Sequence, residues 1–121
     1  MTRVTTQFRL PDGSLIDVFV RLLENGTYEV TDAGDTLGWI NQNSSGDRRT
    51  EAQNTRIAEA LCADPDVTAW SQLVRRSMHG VQPPLLIRDG EIVSAAPKPE
   101  LDAAITRVAR ASAAVAAAGL P

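Results

Sequence analysis

Residues that bind metals or perform nucleophilic chemistry are scarce in this chain of 121 residues. It has one cysteine, Cys62, and one histidine, His79. A single cysteine excludes an intrachain disulfide and a zinc site built from thiolates. A Cys-His pair would need these two side chains to meet, and nothing in the pattern brings them together. We therefore expect Cys62 to be a small buried side chain and His79 to lie at a helix C-terminus beside Gly80.

Signals for other catalytic sites and for membrane segments are also absent. No Gly-x-Ser-x-Gly elbow and no glycine-rich phosphate loop occurs. The first residues alternate polar and apolar side chains and do not form the apolar run of a signal peptide. The longest stretch of small apolar residues, Ala113–Ala118, is far shorter than the roughly 20 residues that a bilayer needs. We expect a cytoplasmic protein that is not an enzyme, has no cofactor or bound metal, and does not contact a membrane.

Neither positive nor negative charge is present in large excess. Twelve basic and fifteen acidic side chains give a net charge of -3, so no overall positive field draws the protein onto nucleic acid or anionic lipid. The charge is unevenly placed, because residues 1–47 hold three basic and seven acidic side chains. Nucleic acid is thus a possible partner, although not the favoured one.

The length and the 43% hydrophobic content fit one compact domain over residues 1–121. We predict an α+β fold that starts with an antiparallel meander of three strands. Helices, a second short hairpin and a long C-terminal helix then follow. The expected segments are the meander at 1–31, the helical part at 36–80, the hairpin at 84–96 and the last helix at 99–119.

Alternating apolar residues and turn dipeptides predict the strands. In the second strand, Ile16, Val18, Val20 and Leu22 share one face. Phe19 stands on the opposite, mostly polar face, so either the last helix or a partner should cover that face. The sequence Asn25-Gly26 predicts a tight hairpin turn, since both residues tolerate a positive φ.

Capping signals and apolar spacing predict the helices. Asp35 or Thr36 is expected to cap the first helix, and Thr50 with Gln53 matches a capping box for a second helix that ends near Cys62. A third helix is expected to place Trp70 in the core because of its helical spacing from neighbouring apolar residues, which are Val67, Leu73, Val74 and Met78.

The second hairpin carries the turn dipeptide Asp89-Gly90 and follows Pro83 and Pro84. This placement favours an edge strand, or a β-arm over the helices.

The last helix has a narrow apolar seam. With so few large side chains it is expected to pack on the sheet, on the middle helices or on a second copy of itself, which makes a homodimer possible. The seam residues are Leu101, Ile105, Val108 and Val115.

Five carboxylates near the first two hairpins form one candidate binding surface. They are Asp12, Asp17, Glu29, Asp32 and Asp35. A cluster of this kind can present a phosphate-like surface to a basic partner, or Glu29, Asp32 and Asp35 can supply oxygen ligands to a divalent metal. The structural alternative is that Asp32 and Asp35 form a turn and a helix cap.

A second candidate surface is basic. Arginines on the helical part can bind phosphate groups if they share one face, although acidic residues between them also favour an ion-paired, solvated surface. These arginines are Arg48, Arg49, Arg56, Arg75 and Arg76.

The run from Gly26 to Leu37, GTYEVTDAGDTL, resembles the core signature of a small uncharacterised domain family of bacteria and phages. In that family a hairpin strand ends in Thr-Asp-x-Gly, and a Thr-Leu pair opens the next helix. The similarity covers about residues 5–62, and this chain has Ala33 where the family commonly has a second acidic residue. The resemblance implies an α+β fold and a phage or mobile-element context.

Small acidic domains in that context often act by occupying a surface on a host protein. Our leading hypothesis is therefore a binder of a host protein or protein complex, for example an inhibitor of a bacterial defence complex such as an anti-CRISPR protein. The alternatives are a nucleic-acid-binding regulator that uses the arginine surface, and a metal-dependent enzyme that uses Glu29, Asp32 and Asp35.

Overall fold

The computed structural model describes residues 1–44, 49–76 and 82–121. Its strands are β1 (Thr2–Arg9), β2 (Leu15–Leu22), β3 (Tyr28–Thr31), β4 (Leu86–Arg88) and β5 (Glu91–Ala96). Its helices are α1 (Asp35–Gln42), α2 (Glu51–Cys62), α3 (Pro65–Arg76) and α4 (Leu101–Ala118), with one 3₁₀ turn, Lys98–Glu100, before α4. The α+β order of elements matches the prediction.

All described strands form one antiparallel sheet in the order β1-β2-β3-β5-β4. The second hairpin therefore extends the meander, since β5 pairs with β3 and β4 forms the outer edge. The prediction of an edge strand is right for β4, whereas the alternative of a β-arm over the helices is wrong. Main-chain pairing with the exposed side of β3 explains this position, because β3 needs a partner on that side to satisfy its backbone groups.

The turn residues act as the sequence indicated, with one difference. Asp89 and Gly90 both have a positive φ, 52° and 80°, as a two-residue type I′ turn requires. In the turn before β3 only Gly26 has a positive φ, and its amide donates to the Leu23 carbonyl while the Leu23 amide donates to the Thr27 carbonyl. The loop is the expected Glu24-Asn25-Gly26, and the difference is that Asn25 does not adopt a positive φ.

The core lies between one face of the sheet and the helices. Val18, Val30 and Ile92 of the sheet are fully buried, and so are Val108 and Val115 of α4. Because α1, α2 and α4 all join this core, the opposite face of the sheet carries no helix among the described residues. Phe19 lies on that open face, directly across from Arg3 and Thr31, and is half-buried.

The predicted dimer seam is used inside the molecule. Val108 and Val115 are completely buried against the sheet, while Leu101 and Ile105 are half-buried at the margin of the core. Since α4 has too few large side chains to form two apolar faces, its single seam packs where the largest apolar surface is available. A dimer contact through Val108 and Val115 would require α4 to leave the sheet.

Several side chains expected in the core are more exposed than predicted. Leu22 is 63% exposed because it ends β2 beside a turn, and Cys62 is exposed at the last position of α2. The helix α3 has no buried residue, and Trp70 is only half-buried. The predictions for Met78, His79 and Gly80 lie outside the described residues.

Candidate functional site: the acidic end of the sheet

The antiparallel strand order brings three chain segments to the same end of the sheet. They are the β1-β2 turn, the segment between β3 and α1, and the β4-β5 turn. Five carboxylates that are at least partly exposed lie in these segments or at the ends of the elements beside them, and we call them the acidic end: Asp12, Asp17, Asp35, Asp89 and Glu91.

Asp32 lies buried beneath the acidic end, where it is only 1% exposed. Its Oδ1 accepts hydrogen bonds from the amides of Gly34 (2.9 Å) and Ile92 (2.8 Å), and its Oδ2 accepts one from the amide of Thr36 (3.2 Å). One carboxylate thus satisfies free amides at the start of α1 and joins β3 to β5. The expected caps, Asp35 and Thr36, lie inside α1 instead, and Gly34 at the N-cap position has no side chain to cap with.

Asp17, Asp32 and Asp35 line a recess of about 90 Å³ with Leu10, Leu15, Ile16 and Thr36. The apolar side chains form part of its wall, and the three carboxylates supply its charge. Partial burial raises the pKa of Asp35, and the negative charges of Asp32 and Asp17 add to this rise. Loss of solvation is the larger cause of this rise in pKa, and repulsion from the two neighbouring carboxylates is the smaller one.

Asp12 is fixed at the tip of the β1-β2 turn. Its Oδ1 accepts hydrogen bonds from the Ser14 hydroxyl (2.6 Å) and amide (2.9 Å), and its Oδ2 accepts one from Trp39 Nε1 (3.2 Å). The Ser14 hydroxyl is the main reason that the pKa of Asp12 is lowered. This carboxylate is therefore held ionised and oriented between the turn and α1.

Glu29 is the one predicted acidic residue that the fold separates from the others. It faces the open side of the sheet, where its Oε1 accepts hydrogen bonds from Arg21 Nη2 (3.0 Å) and Arg88 Nη2 (2.9 Å). Glu29 is 4% exposed, so it is neutralised and covered. The predicted surface of five residues thus reduces to Asp12, Asp17 and Asp35, with Asp32 as their support.

Asp89 and Glu91 were not predicted from the sequence as residues of the acidic surface. Both belong to the second hairpin, and they join the acidic end only because β5 pairs with β3. The side chain of Glu91 and the carbonyl of Gly90 lie next to Gly34. The Asp89-Gly90 dipeptide identified the turn correctly, but no local signal placed this turn beside α1.

The described ranges contain no group of three His, Cys, Asp or Glu side chains placed to hold a metal ion. Glu29 and Asp35 do not converge on Asp32 as the metal hypothesis requires, and both oxygens of Asp32 already accept backbone hydrogen bonds. The geometry does not support the proposed metal ligands.

The predicted arginine surface is dispersed. Arg56 Nε and Nη2 donate to the carbonyls of Ala118 and Leu120 and so cap the end of α4. Arg49 donates to the side chains of Asn54 and Asn41. Arg75 and Arg76 are exposed in the last turn of α3, and Arg48 lies outside the described residues.

Comparisons with known proteins found no relative of this chain. No family model, curated protein or solved structure matches the chain. Within the part of the chain that the structure describes, no helix combines the length and the apolar character needed to cross a bilayer.

Proposed function

We propose that this protein acts by binding a partner protein, and that the acidic end contacts a basic surface of that partner. The observation that carries the proposal is that, among the described residues, some carboxylates pair with arginines whereas those of the acidic end do not. Glu29, Asp64 and Asp66 form ion pairs with arginines, whereas no carboxylate of the acidic end forms one with a described residue.

Unpaired carboxylates held close together leave a negative potential that steers a basic partner into contact. Two features of the acidic end make it suited to this role. The turn and cap hydrogen bonds of Asp12 and Asp32 hold the backbone in place, so little order has to be gained on binding. Partial burial in the recess reduces solvent screening around Asp35.

A partner that normally binds nucleic acid offers the matching chemistry, since its basic surface already receives phosphate groups. The resemblance of residues 26–37 to a phage-associated family supports the further proposal that this partner belongs to a bacterial defence complex, which the protein would inhibit. The partner and the inhibition remain predictions.

A charge-neutral variant tests the proposal without disturbing the fold. The substitutions Asp17→Asn, Asp35→Asn and Asp89→Asn remove three exposed charges, and Asn tolerates the positive φ at position 89. Charge reversal at Asp32 is unsuitable, because it would destroy the cap of α1. Tagged wild type and variant would be used as baits in nuclease-treated bacterial lysate, with captured proteins quantified by mass spectrometry at increasing salt.

We expect the wild type to retain basic proteins in a salt-sensitive manner and the variant to lose them. The matched control is Glu24→Gln, Glu51→Gln and Glu59→Gln, which makes the same change in net charge at exposed positions elsewhere and should behave as wild type. Equal capture by both variants would refute the acidic end as the contact. Recovery that disappears on nuclease treatment would favour the exposed Arg75 and Arg76 instead.

A further inference from the structure

A groove of about 350 Å³ runs beside the last residues of β5, at the end of that strand away from the acidic end. It exists because β4 is three residues long and β5 is six, so among the described residues Ser94–Ala96 have a strand partner only on the β3 side. Pro83 and Pro84 precede β4 and have no amide to donate, which stops the pairing there. We call this the β5-edge groove, and its lining includes Leu23, Pro83, Leu86, Ala95, Arg107 and Glu100.

The floor of the groove carries a backbone edge that no described strand pairs with. In an antiparallel ladder, successive residues direct their N–H and C=O groups to opposite sides. The Asp32 amide donates to the Ile92 carbonyl, so Ile92, Ser94 and Ala96 direct these groups toward β3. Ala95 therefore directs its N–H and C=O away from β3, past the end of β4, and it is exposed between two buried neighbours.

The walls of the groove are held by side-chain hydrogen bonds. The Ser94 hydroxyl donates to the Pro84 carbonyl (2.6 Å) and accepts from Arg107 Nη1 (2.9 Å). Arg107 Nε in turn donates to Asp66 Oδ2 (2.9 Å). The first contact ties the proline segment to β5 at Ser94, so the position of this wall is fixed before any ligand enters.

The charges that line the groove leave one carboxylate uncompensated. Glu29 pairs with both Arg88 and Arg21, of which Arg21 lies outside the lining, and Arg107 is paired with Asp66. Glu100 is exposed at the rim, immediately before α4, and forms no ion pair with any described residue. A ligand that fits the groove therefore combines an extended backbone with a positive charge.

We propose that the β5-edge groove binds an extended peptide segment of a partner protein that bears a basic side chain. One peptide residue pairs with the free N–H and C=O of Ala95, in line with β4, and the basic side chain contacts Glu100. Strand addition of this kind draws affinity from main-chain hydrogen bonds and selectivity from side-chain contacts. This second surface is separate from the acidic end.

The test uses the full chain labelled with ¹⁵N and a blocked pentapeptide of alternating valine and lysine. Amide shifts are followed during titration to millimolar peptide. We expect the Ala95 amide proton to move downfield, as a new hydrogen bond requires, together with shifts at Leu86 and Ala96. The same peptide with glutamate in place of lysine should bind more weakly.

Two variants separate the contacts. Glu100→Gln should weaken binding about two- to fivefold, while the matched charge change Glu51→Gln on α2 should not alter it. Ala95→Pro removes the backbone N–H that points away from β3. It should weaken peptide binding about three- to tenfold, measured from the amide shift of Ala96. If Ala95→Pro does not fold, Glu100→Gln still decides the charge contact.

Absence of shifts around Ala95 at millimolar peptide would overturn the proposal. So would shifts in the groove caused by an oligothymidine and not by the peptide, which would assign it to nucleic acid. Shifts confined to Asp17, Asp35 and Asp89 would also refute the groove while supporting the acidic end as a contact for basic partners, so the two proposals fail separately.

Discussion

At the scale of single residues, the two aspartates of the TDAGD segment have different roles although the sequence presents them alike. Asp32 is buried with three backbone donors, whereas Asp35 is exposed and repelled by its neighbours. The local sequence pattern could not distinguish these two roles, because one of the three donors to Asp32 is the amide of Ile92, which is distant in the chain. The Thr50–Gln53 capping box was predictable and is present, since both of its hydrogen bonds lie within four residues.

This difference predicts opposite mutational effects. Asp32→Ala leaves three amides without their acceptor and should lower the free energy of unfolding by about 3 kcal/mol. Chemical denaturation followed by circular dichroism measures the change. Asp35→Ala is the comparison and should change stability by no more than about 0.5 kcal/mol. Equal losses for the two variants would contradict the assignment of the cap to Asp32.

The pH dependence of Asp35 has a definite sign. Its pKa is raised in the folded state, so the folded protein binds its proton more readily than the unfolded chain, and ionisation at higher pH costs stability. Asp35→Asn should therefore be slightly more stable than wild type at pH 7. This advantage should disappear below the ordinary Asp value of 3.8, where the wild-type carboxyl is also neutral. Thermal melts over this pH range test it, and a wild type more stable than the variant at pH 7 would refute it.

At the scale of elements, α3 is held by a limited apolar contact, in which Val67 packs against the core, and by ion pairs. It buries none of its residues, while Asp66 accepts hydrogen bonds from Arg107 Nε (2.9 Å) and Arg110 Nη2 (3.2 Å) of α4. Asp64, which precedes α3, pairs with Arg110 as well. An element with few buried contacts opens locally at low cost, so its order depends on these ion pairs.

Asp66→Asn should therefore loosen α3 more than the rest of the molecule. Hydrogen exchange of the amides of residues 65–76 should become severalfold faster while those of β2 and β3 change little. Asp102→Asn, an exposed change in the first turn of α4, serves as the control. Lowering the pH should act in the same direction, because Arg107 lowers the pKa of Asp66: the stabilisation from the ion pair decreases as the pH falls below the ordinary value of 3.8 and is lost once the pH is below the lowered pKa. Unchanged exchange in α3 would show that another contact holds it.

At the scale of the whole molecule, the described residues form a sheet with helices on one face and an opposite face that no described helix covers. This arrangement places the seam of α4 in the intramolecular core, with Val108 and Val115 fully buried. Val108→Ala should lower the free energy of unfolding by about 2 kcal/mol through the cavity that it leaves. The midpoint of unfolding should be independent of protein concentration in both the wild type and the variant. A concentration-dependent midpoint that Val108→Ala abolishes would instead indicate a dimer through the seam.

The sequence alone determined the element types and the positions of the turns. Each of these depends on neighbours a few residues apart: alternation in β2, the Asp89-Gly90 turn, and the cap between Thr50 and Gln53. Tertiary structure decided the strand order, the burial of Glu29 under Arg21 and Arg88, and the position of Gly90 and Glu91 beside Gly34. These depend on contacts between distant segments, which local periodicity does not encode because many pairings satisfy the same alternation.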